Sequence, residues 1–479
     1  MYQAMKKIIL LCGICFVFWT TEAQQIQWAS KVIKFSSDLG GKQNGIKRIL
    51  GKPDVFPQGG NSGNAWTPKN ALDGREIVEV GFEKPQTVKQ IAVFENLNAG
   101  CVTRILVDKG SGSYDAVWTR KSDWRTPTFK STARTDHDYY FKRKRRKIQE
   151  APDVFNPGIE YAILDNAVAN VVAVRVEFNF ALLPGQKQID AIGISDSEIP
   201  IQAMIHTKPA FENLGYKNIL DFQVAELSSF MLSDDGQKLF LTNKTEEADQ
   251  VFVSQKLSDG KWAEPQLVPS LSKNESYNYV VSSNSNFLIK GGANYTRNST
   301  ETGFTLYEFK DGNYQIVSPL KITAYNNYND TADLSVSKDG KTIIMGIETD
   351  FTQGGADLYF ATKKEDGTFG LLQNLGKSVN SAGHELLPQL LSDNTTLIFS
   401  SNGYSVYGDF DLFVTYRLDD TWKKWSEPIN LGSKINSPDF EGSPFYDEDK
   451  ELFYFSSIVN GKTTCCSIKI PKSVLMKGN

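Results

Sequence analysis

The sequence is poor in the residues that most often carry chemistry. It has three histidines, His137, His206 and His384, widely separated along 479 residues, and five cysteines. No His-Glu-x-x-His, Gly-x-Ser-x-Gly or Walker-type glycine loop is present, nor any Cys-x-x-Cys beyond residue 23. The short motifs with a defined catalytic mechanism are therefore missing. Only His384 beside Glu385 suggests chemistry, and a lone His in a turn is usually structural or solvated. A non-enzymatic protein without a cofactor or bound metal is expected.

Long apolar runs are equally scarce. One lies at the start: Lys6 and Lys7, then Ile8 to Trp19, then Thr21-Glu22-Ala23. This order reads as a secretory leader cleaved after Ala23, so an exported chain, periplasmic or associated with the outer membrane or cell surface, is expected. No later segment approaches the length of a membrane span. Beyond residue 23 only Cys101, Cys465 and Cys466 remain, too few for a disulfide framework. Adjacent on an expected strand, Cys465 and Cys466 point to opposite faces and read as core residues.

Charge is close to balanced, with a formal value of -4, which gives no reason to expect nucleic acid as a partner. The local exception is Lys142-Arg143-Lys144-Arg145-Arg146-Lys147. It reads as a solvated loop, with an anionic polymer or lipid surface as the alternative.

What the sequence does contain is a repeat over its second half. Three turns, Ser233-Asp234-Asp235-Gly236, Ser337-Lys338-Asp339-Gly340 and Ser392-Asp393-Asn394-Thr395, each precede a short apolar run. Asp, Asn and Gly accept the backbone angles of a tight turn, so each reads as a hairpin. Weaker copies stand at Ser282 to Asn286 and Asp447-Glu448-Asp449. A second landmark recurs at Asp249-Gln250-Val251-Phe252, Asp357-Leu358-Tyr359-Phe360 and Asp411-Leu412-Phe413. The longest match runs from Asn374-Leu375-Gly376 through Asn380-Ser381 and Glu385 to Pro388, and returns 56 residues later from Asn430 to Pro444. Five units of four short strands without helical periodicity predict a β-propeller. The last unit lacks a fourth strand and would leave an open edge. The stretch Ile201 to Asn218, with its own Asn213-Leu214-Gly215, is expected to supply it.

Each unit also carries an acid at one position: Glu226, Glu275, Asp330, Glu385 and Glu441. These should enter the innermost strands at one rim. They read either as carboxylates bonded to turn backbone or as a ring for a cation or basic peptide.

On these landmarks the chain resembles the WD-like propeller repeats of TolB-type and OmpA-associated envelope proteins, over residues 205 to 470. The resemblance implies an interaction platform with varied partners, among them envelope or outer-membrane proteins of secretion or gliding machinery. It does not identify one.

Residues 24–198 show no repeat, but strand-like runs recur, with alternation at Val172, Val174, Val176 and Phe178. A β-sandwich is predicted, joined through a short linker near Asp196 to Pro200 to a propeller over 199–479. The order Ala71-Leu72-Asp73-Gly74, Ile91-Ala92-Val93, Val174-Arg175-Val176 and Ile189 to Ile194 resembles the discoidin-like, galactose-binding jelly roll. Similar modules precede propeller repeats in Bacteroidetes-type envelope proteins. Many of those continue into an OmpA-like domain; none is expected within residues 24–479, and direct peptidoglycan attachment is therefore not expected.

By that resemblance, loops at one end would bind a ligand, with Trp66, Glu95, Asn96, Asn98, Arg104 and Gln188 as candidates for stacking and hydrogen bonding to a glycan. The competing reading makes Trp66 a core plug and the Asn residues turn formers. Three functions follow in order: an envelope interaction scaffold, a carbohydrate-binding surface protein, and a glycan-active enzyme assembled from acids of different blades.

Overall fold

The computed structural model describes residues 24–130, 156–220, 222, 227–245, 249–272, 279–283, 286–291, 299–329 and 331–477. The expected leader, His137, the basic run 142–147 and the acids Glu226, Glu275 and Asp330 lie outside the described residues. The chain is all-β, with 49% strand and 4% helix.

Seven strands form the N-terminal unit: β1 (Ile26–Trp28), β2 (Lys31–Phe35), β3 (Arg75–Glu95), β4 (Val102–Asp108), β5 (Asp115–Thr119), β6 (Gly158–Asn179) and β7 (Ala191–Ser195). Strands β3 and β6 pair antiparallel from Arg75 opposite Asn179 to Glu95 opposite Gly158, with register breaks between Gly81 and Gln90. At that break the sheet changes layer. The first half of β3 takes β2 as its other neighbour and the second half takes β7. Val78 and Val80 from one half, Ile91 and Val93 from the other, and Val174 and Val176 of β6 share one buried cluster. Alternate residues of each layer thus meet face to face, as a sandwich requires.

The second unit is a five-bladed propeller. Strand β8 (Asn218–Leu220) precedes the first blade, which contains β9 (Leu227–Leu232), β10 (Lys238–Lys244), β11 (Asp249–Gln255) and β12 (Gln266–Leu267). Blade two is β13 (Tyr279–Ser283), β14 (Phe287–Gly291), β15 (Ser299–Lys310) and β16 (Asn313–Tyr325). Blade three is β17 (Asp333–Val336), β18 (Thr342–Ile347), β19 (Asp357–Thr362) and β20 (Gln373–Asn374). Blade four is β21 (Glu385–Leu390), β22 (Thr396–Ser401), β23 (Asp411–Tyr416) and β24 (Ile429–Asn430). Blade five is β25 (Glu441–Asp447), β26 (Leu452–Val459), β27 (Lys462–Lys469) and, as its outermost strand, β8.

The period of two in each second strand holds the blades together. Ile343 packs in a cluster with blade two, while its neighbour Ile344 packs with blade four. Leu397 and Ile398 divide in the same way between blades three and five. Leu239 and Leu241 face blade five, and Phe240 faces blade two. Five inter-blade cores therefore run around the ring. Burying each such side chain contributes about 1.5–3 kcal/mol.

The ring closes as expected in kind, with one correction of position. Ile219 of β8 pairs with Cys466 of β27, so the closing strand shares only Asn218 with the expected stretch and lies mostly just beyond it. Asn213-Leu214-Gly215 does not form a strand, because Pro209–Glu212 forms a short helix with Asn213 at its end. Proline at the first helical position favours that turn. Cys465 and Cys466 are buried in different clusters, on opposite faces of β27.

Candidate functional site

In blades three and four the repeat landmarks prove to be a hydrogen-bonded lattice. Asp357 Oδ2 accepts from the Asn374 side chain and the Gln353 N–H, both at 2.7 Å. Asn380 in turn bonds both backbone groups of Leu358 and donates to Asn374 Oδ1 at 2.9 Å. Asp411, Asn430, Asn436 and Leu412 reproduce the arrangement in blade four.

Of the five rim acids, the two described ones are fully buried. Glu385 accepts from Ser381 N–H at 3.0 Å, Ser381 Oγ at 2.6 Å and Ser401 Oγ at 2.8 Å. Glu441 does the same with Ser437 and Ser457. Desolvation, aided by the neighbouring Asp357, pushes Glu385 up to about 8, and desolvation pushes Glu441 up to about 7. Buried in this way, the two carboxylates bond turn backbone and hydroxyls and do not present charge to a cation at the rim. His384 accepts the Ala356 N–H on Nδ1 at 3.1 Å. Among the described residues no group of three or more His, Cys, Asp or Glu could hold a metal ion.

The proposed sugar-binding residues of the sandwich mostly turn inward. Trp66 is fully buried against Phe178, and its indole N–H reaches the Ser37 carbonyl at 3.1 Å. Glu95 is buried and accepts from Gly100 and Cys101 N–H at 3.0 Å each; desolvation raises it to about 7. Asn96 and Gln188 bond each other at 3.0 Å and tie together Gly60, Asn61, Ser62 and Thr67. Arg104 is exposed along β4, opposite Thr119. Trp66, Glu95, Asn96 and Gln188 hold loops from within and Arg104 stands apart on β4, so the candidates do not form one convergent face. Asn98 alone lines a ligand-sized cavity, about 780 Å³, together with Phe129, Asn156 and Gly185.

What sequence reading missed is the junction of the two units. The loop of residues 42–64 rests on the connections of blades three and four. Asn64 is buried; its Oδ1 accepts Ala382 N–H at 2.8 Å and Arg48 at 3.2 Å, and its amide donates to the Gly403 carbonyl. A Cβ on Gly403 would fall 1.6 Å from Ser381 Oγ, so glycine is required for the blade loop to lie this close. Ser405 Oγ lies 2.8 Å from the Pro53 carbonyl and 2.6 Å from that of Phe56. Asp190 fixes this loop from beneath by accepting the N–H groups of Asp54, Val55 and Phe56.

Beside the junction, Lys42 Nζ donates to the carbonyls of Asp350 at 2.8 Å and Thr352 at 2.6 Å. These flank Phe351, which is 74% exposed. Tyr328, 40% exposed, donates its hydroxyl to Asp350 at 2.8 Å. Phe351 thus stands at the surface on a loop held by Lys42 and by Tyr328, which comes from the neighbouring connection between β16 and β17. No spacing in the sequence signals it, since a lysine and a loop 308 residues apart share no period.

No protein-family model matches the chain, and no curated protein matches it. Solved structures resemble its two parts. An endo-arabinase from Bacteroides thetaiotaomicron aligns with 56% of this chain and 98% of its own, at 12% identity and a TM-score of 0.35. TolB from Acinetobacter baumannii aligns over 51% of this chain and 55% of its own, at 9% identity and a TM-score of 0.33. The family 32 carbohydrate-binding module of Streptococcus pneumoniae EndoD aligns over 36% of this chain and 99% of its own, at 10% identity and a TM-score of 0.23.

Proposed function

We propose that the chain is a non-enzymatic binding protein of the cell envelope, exported through its N-terminal leader, that engages a protein partner on the surface around Phe351. The observation that supports this reading is the presentation of Phe351 by a loop that Lys42 clamps from the other unit, with Tyr328 of the adjacent connection bonded to the same loop. Aromatic side chains held in place before contact give up little entropy on binding, and such residues dominate interface energetics. The envelope and the outer membrane supply the partner in this reading.

The test is a photocrosslinking amino acid at position 351 in the exporting cells. Cross-links to one or a few envelope proteins, lost at a control position such as Thr463, support the proposal. No discrete product sinks it. Release of sugar from envelope polysaccharide by the purified chain would overturn its non-enzymatic part.

A second reading, carbohydrate binding by the sandwich, is favoured by the cavity at Asn98. Thr128 lines that cavity and is exposed. If glycan binds there, Thr128→Trp abolishes glycan capture and leaves cross-linking at position 351 intact.

A further inference from the structure

A second, smaller cavity of about 240 Å³ lies between the two units. Its walls come from three separate stretches of chain: Lys52 to Asp54 of the sandwich, Met204 and His206 of the connection between β7 and β8, and a propeller wall that includes Lys377, Phe413, Glu427 and Pro428. It therefore exists only while the units are docked.

Two polar side chains face it without a hydrogen-bond partner among the described residues, although the Arg48 guanidinium acts on Asp54 as a nearby charge. The backbone N–H of Asp54 is bonded by Asp190, but among the described residues nothing hydrogen-bonds the Asp54 carboxylate or the His206 imidazole. Both are half-buried, so their bonding capacity is available only to something small inside the cavity. Lys52 and Glu427 approach to 3.7 Å and join the two units at the same cavity.

The walls carry charges of both signs. Lys52 pairs with Glu427, burial pushes Asp54 up to about 7 despite the nearby Arg48 charge, and desolvation together with the nearby Lys52 favours neutral His206. A ligand with net charge would gain from one half of this set and lose to the other. A neutral molecule with several hydroxyls uses both, donating to carboxylate and imidazole and accepting from lysine. Phe413 and Pro428 supply an apolar wall for the C–H face of a ring. The volume lies below the usual range for drug-sized ligands, about 300–1,000 Å³, and suits one ring better than a chain.

We infer that the junction is a binding site for a single neutral sugar unit, held by Asp54 and His206 between the two units. The site is separate from the cavity at Asn98, and it does not depend on the protein-partner reading.

The test uses the whole mature chain and proton NMR of the histidine rings, of which the sequence has only three. The His206 signal is assigned with His206→Gln. The probes are free glucose, galactose, arabinose and N-acetylglucosamine, each raised to about 100 mM, a range that covers the weak end of single-site affinities.

At least one sugar should move the His206 signal saturably and leave that of His384 in place. Asp54→Asn should weaken this binding about tenfold or more, the scale of one charge-assisted hydrogen bond. Ser378→Trp, which fills the cavity from its exposed edge, should abolish it, and Thr128→Trp should leave it unchanged. The inference fails if no sugar moves the His206 signal, if Ser378→Trp retains the shift, or if Thr128→Trp removes it. Both junction variants are checked for wild-type melting, so a lost signal is not a lost fold.

Discussion

The side-chain oxygen of Asn64 accepts the backbone N–H of Ala382 at 2.8 Å, across 318 residues of chain. Through the same amide Asn64 also reaches the Gly403 carbonyl, so one buried side chain satisfies two backbone groups of the propeller. Asn64→Ala leaves both unpaired, at a cost of about 1–3 kcal/mol for each buried group. The expected result is faster hydrogen exchange at Ala382 and a thermal melt that separates into two transitions. A single unchanged transition would show that the docking does not depend on Asn64.

The buried acids give a pH signature. Folded Glu385 titrates near 8 and Glu441 near 7, both above the ordinary glutamate value of 4.5. Between 4.5 and those values the folded chain holds more protons than the unfolded chain, so each acid's contribution to stability declines as pH rises. The variant Glu385→Gln, Glu441→Gln has no such decline. Relative to wild type it should be more resistant to urea at pH 8 than at pH 5.5, and unfolding midpoints at the two pH values check this.

Ring closure rests on the three pairs between β8 and β27. Ile219→Pro removes a donor and distorts the short strand, which should cost about 1–3 kcal/mol and expose the edge of β27. A lower melting temperature together with concentration-dependent light scattering is the expected outcome.

The thiols offer a simple check on packing. Cys101, Cys465 and Cys466 are buried and unpaired, and desolvation raises all three. Thiolate is the reactive form. A bulky disulfide reagent should leave a folded chain of residues 24–479 unmodified and label its three cysteines after denaturation.

The repeat was legible because its residues serve the same local bonds in successive blades. Asn374 and Asn430 recur since each must reach an aspartate that opens a third strand. The turn motif was legible for the same reason: Ser233 and Ser337 each donate to the Asp two residues on. The sandwich loops were misread because Asn96 and Gln188 look alike in sequence whether they bind a sugar or one another. The short linker implied that the two units touch, but the residues of the junction were not legible. Asn64 and Ser405 lie in irregular loops, and a contact between two units imposes no period on either.

The strand that closes the ring is also the first propeller element after the linker. A pull on the sandwich, once its docking yields, therefore reaches β8 and is carried through β27 into the fifth blade before it can reach β9. The load falls on the strand that joins the beginning of the ring to its end, so tension between the units tests ring closure first, and blade one would peel away only after blade five has opened.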